Sequence, residues 1–329
     1  MIKLNTFYYY TAFFATILFT ACNNEPTEVK VQPVTKTVEK KIATPTFNQD
    51  SAYAFIQAQV DFGPRIPGSS AHAKCADYLT SKLKSYNFEV IVQKATLKTF
   101  DKKQFILKNI IGSFKPELQS RVLICSHWDT RPWADSDEEN KTKPFDGAND
   151  GASGVGVGLE MARQINAYNP SIGVDFIFFD LEDYGETNGE DESSWCLGSQ
   201  YWAKNLHVPN YYANFGVLLD MVGGPNAIFP KEGNSVNLAR AAVDKVWSTA
   251  NTIGYGNYFS PQRRDFVGVD DHIYVNQAGI PCVDIIEYNQ ATGGFGSYHH
   301  TQKDNMDGID KNTLKAVGQT LLEVIYNEK

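Results

Sequence analysis

The sequence predicts an α/β fold, a mostly parallel central sheet with helices on both faces in an α/β/α sandwich, and three observations carry that expectation. Strand-like segments such as 122–125, a continuous apolar run, and 174–179, apolar apart from Asp175, are as expected of strands covered on both faces. They alternate with segments of helical periodicity, which is the pattern of strand-helix-strand crossovers. The polar residues suited to chemistry gather where those strands end, and there open α/β sheets place their ligands.

Taken in order, residues 70–86 read as an amphipathic helix. Cys75, Leu79 and Leu83 recur at spacing four behind a serine cap. Strands follow at 88–92, 105–111 and 122–125, then a helix over 152–165 and the strand 174–179. The segment 198–206 is helical, 215–219 a strand, 237–253 a helix, 283–286 a strand and 311–326 a closing helix. No internal repeat and no linker-like stretch divides 47–329, which therefore reads as one catalytic domain.

The first residues speak of location. A lone Lys3 precedes an apolar and aromatic run from Phe7 to Phe19, and small residues stand directly before Cys22. Residues 1–21 are expected to be an export signal of the lipoprotein type. Cys22 would become the lipidated first residue of the mature chain, anchoring it to a membrane at the periplasmic face or the cell surface. Residues 22–46 hold Pro26, Pro33 and Pro45 among Glu, Lys, Thr and Val, with no aromatic residue, and are expected to be a flexible linker.

Composition excludes other classes. With 38 Asp plus Glu against 30 Lys plus Arg, the 329-residue chain carries a net charge of −8, and no basic face points to nucleic acid. A monomer is expected. The five cysteines include no Cys-x-x-Cys pair, so a thiolate zinc site is not expected. Cys125 and Cys282, in apolar runs, read as core residues, and pairing of Cys75 with Cys196 stays open.

His127 and Asp129 follow the third strand. Asp150 sits in the small-residue loop Gly147-Ala-Asn-Asp-Gly-Ala-Ser-Gly154 that opens a helix. Glu182 and Asp183 are adjacent carboxylates closing an apolar strand, which is costly in a semi-buried place without a cation or a shared proton. Asp220 ends another strand, and Tyr298-His299-His300-Thr301 supplies imidazoles. Nitrogen and oxygen donors of this kind suit zinc.

With the run Pro64-Arg-Ile-Pro-Gly-Ser69, these motifs resemble the zinc-dependent aminopeptidase family over nearly all of residues 50–329. The resemblance implies one ion on Asp150, Asp183 and His300, and a second on His127, the bridging Asp150 and Asp220. It also implies Glu182 as general base and a cis peptide at Asp150–Gly151. Val269-Asp270-Asp271-His272-Ile273 and Leu219-Asp220-Met-Val-Gly223 are similar to elements of the glutaminyl cyclase branch, of the animal and Bacteroidetes kind. That branch implies one zinc, Asp270 facing the substrate amine, Asp220 near the base, and peptides with N-terminal glutamine as substrates. The chain departs from animal cyclases by having Asp183 for Glu and His299 for Trp. Trp195 or Trp133 is expected to restore the aromatic pocket wall. The expectation is a glutaminyl cyclotransferase releasing ammonia, with a di-zinc aminopeptidase as the alternative.

Overall fold

The structure is a computed structural model that describes Tyr9 and residues 43–329 except Asn188 and Glu190. Apart from Tyr9, the expected signal segment, Cys22 and the linker as far as residue 42 lie outside the described residues. The linker expected to run to 46 ends sooner. Pro45 is buried, its carbonyl accepts from Gln319 Nε2 at 3.1 Å, and the Thr46 carbonyl accepts from Gln164.

Two helices come first. Asn48 caps α1 (Gln49–Val60) by accepting the N–H groups of Asp50 and Ser51, and the Ser69 hydroxyl caps α2 (Ser70–Ser85). The strands β1 (Glu89–Lys98) and β2 (Gln104–Phe114) form a hairpin, followed by β3 (Arg121–His127) and α3 (Ala152–Tyr168). Next come β4 (Gly173–Phe179), α4 (Leu197–Lys204) and β5 (Phe215–Asp220). The remaining elements are β6 (Phe229–Glu232), α5 (Gly233–Leu238), α6 (Arg240–Thr252), β7 (Phe259–Asp265), α7 (Asp271–Gln277), β8 (Cys282–Ile286) and α8 (Lys311–Asn327).

The main sheet has the order β1-β2-β4-β3-β5-β8. Its four strands β4, β3, β5 and β8 are mutually parallel, while β2 pairs antiparallel with both neighbours. The antiparallel edge is a refinement of the expected sheet. A five-residue connection is too short for a parallel crossover, so β1 and β2 must form a hairpin. Strand alternation then splits the core. Val122, Ile124, Val174, Phe176, Val217 and Ile285 face α1, α2, α3, α6 and α8, whereas Leu123, Cys125, Ile177, Leu218 and Cys282 face α4 and α7.

Two expectations need correction. The single helix over 237–253 is two helices, because Ala239 at φ −137° interrupts the run. The small parallel sheet of β6 and β7 was not anticipated, since β7 carries Pro261 and charged residues without clear alternation. Among the described residues no helix is long and apolar enough to cross a membrane.

The sheet reverses its order of growth at β3, with β4 on one side and β5 on the other. The carboxyl ends of these strands thus converge at a switch point. Close packing there requires glycine: a Cβ at Gly154 would lie 2.2 Å from the Leu219 carbonyl oxygen and 2.3 Å from Ser126 Oγ.

Candidate active site

Four loops converge beyond those strand ends. His127 closes β3, and Leu181, at φ +57°, turns the chain off β4 ahead of Glu182 and Asp183. Buried Asp129 ties the two together, accepting the backbone N–H of Glu182 at 3.1 Å and of Asp183 at 3.3 Å. The Asp150 loop is held differently. The carboxylate of buried Asp304 accepts the N–H of Asn149 at 2.7 Å and of Asp150 at 3.0 Å. The Asp150–Gly151 peptide, for which a cis bond was expected, is trans, and Gly151 at φ +91° makes the turn. A side chain at Gly151 would meet the Asp129 carbonyl oxygen at 2.6 Å.

The two oxygens of Asp150 face different imidazoles. Oδ1 lies 3.1 Å from His127 Nε2, and Oδ2 lies 3.5 Å from His300 Nε2. On the first side His127 Nε2 is also 3.2 Å from Asp220 Oδ1; on the second, His300 Nε2 is 3.2 Å from Asp183 Oδ1. His300 Nε2 thus stands beside both Asp150 and Asp183, but the sets whose ligand-type atoms all lie within 4.8 Å of one another are His127, Asp150 and Asp220 on one side and Asp150, His299 and His300 on the other. Asp183 Oδ1 is buried with no hydrogen-bond partner among the described residues. An imidazole with hard carboxylate oxygens, one of them orphaned, is a donor set that fits zinc.

Electrostatics make the same point. Burial works against protonating His127, yet Asp129, Asp150 and Asp220 outweigh it and lift the ring well above its usual range. His300, also opposed by burial, is lifted to about 10 by Asp183 and Asp135. Burial, and then the charge of Asp150, raise Asp183 to about 6. Burial pushes Glu182 well above the carboxylate range and Asp270 to about 7; Asp183, Asp271 and Asp270 add to the first, Asp220 to the second. The cluster is short of positive charge.

A cavity of about 440 Å³ opens over these groups, lined by Glu182, Trp195, Asp270, Phe295, His299 and His300 among others. Glu182, Cys196 and Asp270 each bring a ligand-type atom within 4.8 Å of the other two. Trp195 supplies a wall. Its ring stacks near-parallel to His300 at 6.2 Å between centroids, with the Arg131 guanidinium 4.5 Å from its centre. His299 also lines the cavity, stacked on His300 at 3.7 Å, and burial holds its pKa down to about 3. Trp133 does not reach the cavity lining. It packs edge-on against Tyr184 and Phe100 instead, because Arg131 lies between it and Trp195.

Sequence reasoning missed several participants. Asp135 Oδ1 lies 3.1 Å from His300 Nδ1, and buried Arg131 binds Asp135 at 2.7 Å and the Asp183 carbonyl at 3.0 Å. Asp304 and the contact of Cys196 with Glu182 were missed too. The available signal was the acidic cluster after Trp133, within ten residues of His127. The cysteine pairing left open above does not form: Cys75, Cys125, Cys196 and Cys282 are all free and buried.

Comparison with known proteins places the chain in a family. The family model described as peptidase family M28 matches residues 109–325. A crystal structure of Tannerella forsythia glutaminyl cyclase is 53% identical, with a TM-score of 0.84, and the match covers 87% of this chain and 100% of that one. A Zn-dependent exopeptidase from Parabacteroides distasonis is 52% identical with a TM-score of 0.84 over the same shares. Aminopeptidase YwaD of Bacillus subtilis is 27% identical over 253 residues, 74% of this chain. The chain spans about half (50%) of that relative's length.

Proposed function

This chain belongs to peptidase family M28, and within that family we propose that it is a zinc-dependent glutaminyl-peptide cyclotransferase. It converts the N-terminal glutamine of peptides to pyroglutamate and releases ammonia. The observation that carries this reading is the pairing of Glu182 with Asp270 at the cavity floor, two carboxyl groups whose hold on protons burial strengthens. A group that must first take a proton and then give one back needs such an elevated pKa.

In this reading Asp150, Asp183 and His300 would hold a single zinc ion, which would supply Lewis-acid polarisation of the glutamine side-chain amide. Asp270 faces the substrate's ammonium group and orients it. Glu182 takes a proton from that group, freeing the nitrogen lone pair to attack the side-chain carbonyl carbon. As the bond from that carbon to the amide nitrogen breaks, Glu182 delivers its proton to the departing nitrogen, which leaves as ammonia, and the second proton of the new ring nitrogen passes to the freed Glu182 carboxylate and from there to solvent. Asp220 sustains the raised pKa of Asp270 through its charge. Trp195 and His299 flank the glutamine side chain.

A Gln-initiated dipeptide incubated with the purified protein should yield one equivalent of ammonia and a product lighter by one ammonia. Release of free amino acids instead would establish the second reading, a di-zinc aminopeptidase. The convergence of His127, Asp150 and Asp220 favours that reading, and two tightly held zinc ions per chain would accompany it. We further propose that residues 47–329 are a single catalytic domain acting as a monomer. The chain would be exported by residues 1–21 and anchored through lipidated Cys22 at the periplasmic face or cell surface. Mass analysis of the mature N-terminus and sizing of the released domain test these points.

A further inference from the structure

We propose that Glu182, Cys196 and Asp270 form a second cation site, which takes a thiophilic divalent ion such as zinc or cadmium and switches the enzyme off. The three ligand-type atoms lie within 4.8 Å of one another, and Cys196 Sγ is 3.3 Å from Glu182 Oε1. Bond lengths of about 2.3 Å to a thiolate and about 2.0–2.2 Å to carboxylates let one ion reach all three. No thiol stands near Asp150, Asp183 and His300 or near His127 and Asp220 at comparable range among the described residues, so sulfur marks this site apart.

Two further observations point to a ligand. Asp270 is 5% exposed; its Oδ1 accepts the Asp271 N–H at 2.5 Å, while Oδ2 is buried without a partner. An unpaired buried carboxylate oxygen is costly, and a cation relieves that cost. Cys196, for its part, is fixed in the left-handed region at φ +56°, with its N–H donating to the Glu182 carbonyl at 2.9 Å. Non-glycine residues seldom adopt that region, and the turn it makes, closed by this hydrogen bond, sets the thiol against the catalytic carboxylate. Burial, and then the charge of Glu182, keep the group a thiol, well above its usual pKa; a bound cation inverts that preference.

Glu182 and Asp270 line the cavity, so an ion enters by the route the substrate takes. Once coordinated, Glu182 is too weak a base to take a proton from the substrate's ammonium, which would also be repelled by the ion. Excess metal then inhibits in competition with the Gln-peptide. That consequence rests on Glu182 being the base, whereas the binding itself does not.

The test is a cadmium titration of the zinc-loaded protein, read by turnover and by the ultraviolet thiolate-to-cadmium charge-transfer band. One equivalent of band should grow with the same midpoint as the loss of turnover, and a saturating Gln-peptide should suppress it. Cys196→Ser should lose the band and require roughly tenfold more metal for inhibition. Inhibition without a band would overturn the proposal and place the ion on His127, Asp150 and Asp220. A band indifferent to the peptide would overturn it as well, assigning the sulfur to another cysteine; this readout needs only the wild-type protein. Failure of the cyclase reading shows separately, as absent ammonia release before any metal is added.

Discussion

The two imidazoles that face Asp150 from opposite sides are supported very differently. His300 has its far nitrogen 3.1 Å from Asp135, and Asp135 is gripped in turn by Arg131 at 2.7 and 3.0 Å and by Thr187 at 2.5 Å. Arg131 also donates its backbone N–H to Asp183 at 2.9 Å. His127 has nothing comparable. Its Nδ1 lacks a hydrogen-bond partner among the described residues, with Asp129 at 3.7 Å and Glu182 at 3.8 Å. Metal-ligating histidines are oriented by a carboxylate or carbonyl on the second ring nitrogen. The asymmetry teaches that one side of Asp150 is built to keep an ion, while the other stands open to the base.

The sharpest way to break that comparison is to remove each ring in turn. His300→Ala is expected to abolish zinc binding and turnover together, because ligand loss also removes metal-linked stability. His127→Ala is expected to keep one zinc per chain by elemental analysis. If both substitutions lower the zinc content equally, the two sides are equivalent and the one-ion reading fails.

Glu182→Gln touches neither ligand side. It should keep its zinc and lose turnover by about 10³-fold, the scale of an essential proton-transfer group. Zinc loss in this variant would mean that Glu182 is itself a ligand.

Asp135→Asn tests the brace directly. Neutralising the outer partner of His300 should weaken zinc binding by about 10–100-fold, measured by competition with a chelator. Asp129→Asn, beside His127, should leave zinc affinity within a few-fold of wild type and lower turnover instead, since Asp129 holds the backbone of Glu182.

The unequal support was invisible in the sequence for a physical reason. His127, Glu182, Asp183 and Asp220 stood out because they end buried apolar runs and Asp150 because it sits among glycines, where a polar residue needs a purpose, while His300 stood out as one of two adjacent imidazoles late in the chain. Arg131 and Asp135 occupy an ordinary polar loop, and their importance comes from contacts with residues 52 and 165 positions away. The same limit applied to the fold. The strands β3 and β4, covered on both faces, announced themselves as apolar runs, and the helix behind Ser69 by its cap and spacing. The sequence of β7, Phe-Ser-Pro-Gln-Arg-Arg-Asp, follows neither rule, because only a two-stranded ladder with β6 makes it a strand. Cys196 was legible only as one cysteine among five; its meaning lies in the turn that sets it on Glu182.

The smallest expected effect concerns pH, and it separates the protein without zinc from the loaded form. In the metal-free protein Asp270 is raised to about 7, Asp304 to about 8 and His300 to about 10, in each case with burial as the largest influence, opposing charge only at the histidine. Unfolded carboxyl groups titrate near 4 and histidine near 6.5. Between pH 6.5 and 8.5 the folded chain therefore holds more protons than the unfolded chain, so its stability falls as pH rises. The depressed His299, near 3, acts in the opposite sense chiefly below pH 6.5 and offsets only about 0.4 kcal/mol within this window. A loss of roughly 2–5 kcal/mol is expected, or about 2–4 °C in Tm for each kcal/mol. Zinc replaces those protons and binds better as they leave, so melting curves of loaded and chelator-treated protein should diverge with rising pH. A chelated protein whose Tm climbs from pH 6.5 to 8.5 would show that these carboxyl groups are already ionised in the fold, and that the cluster does not depend on a cation for its charge balance.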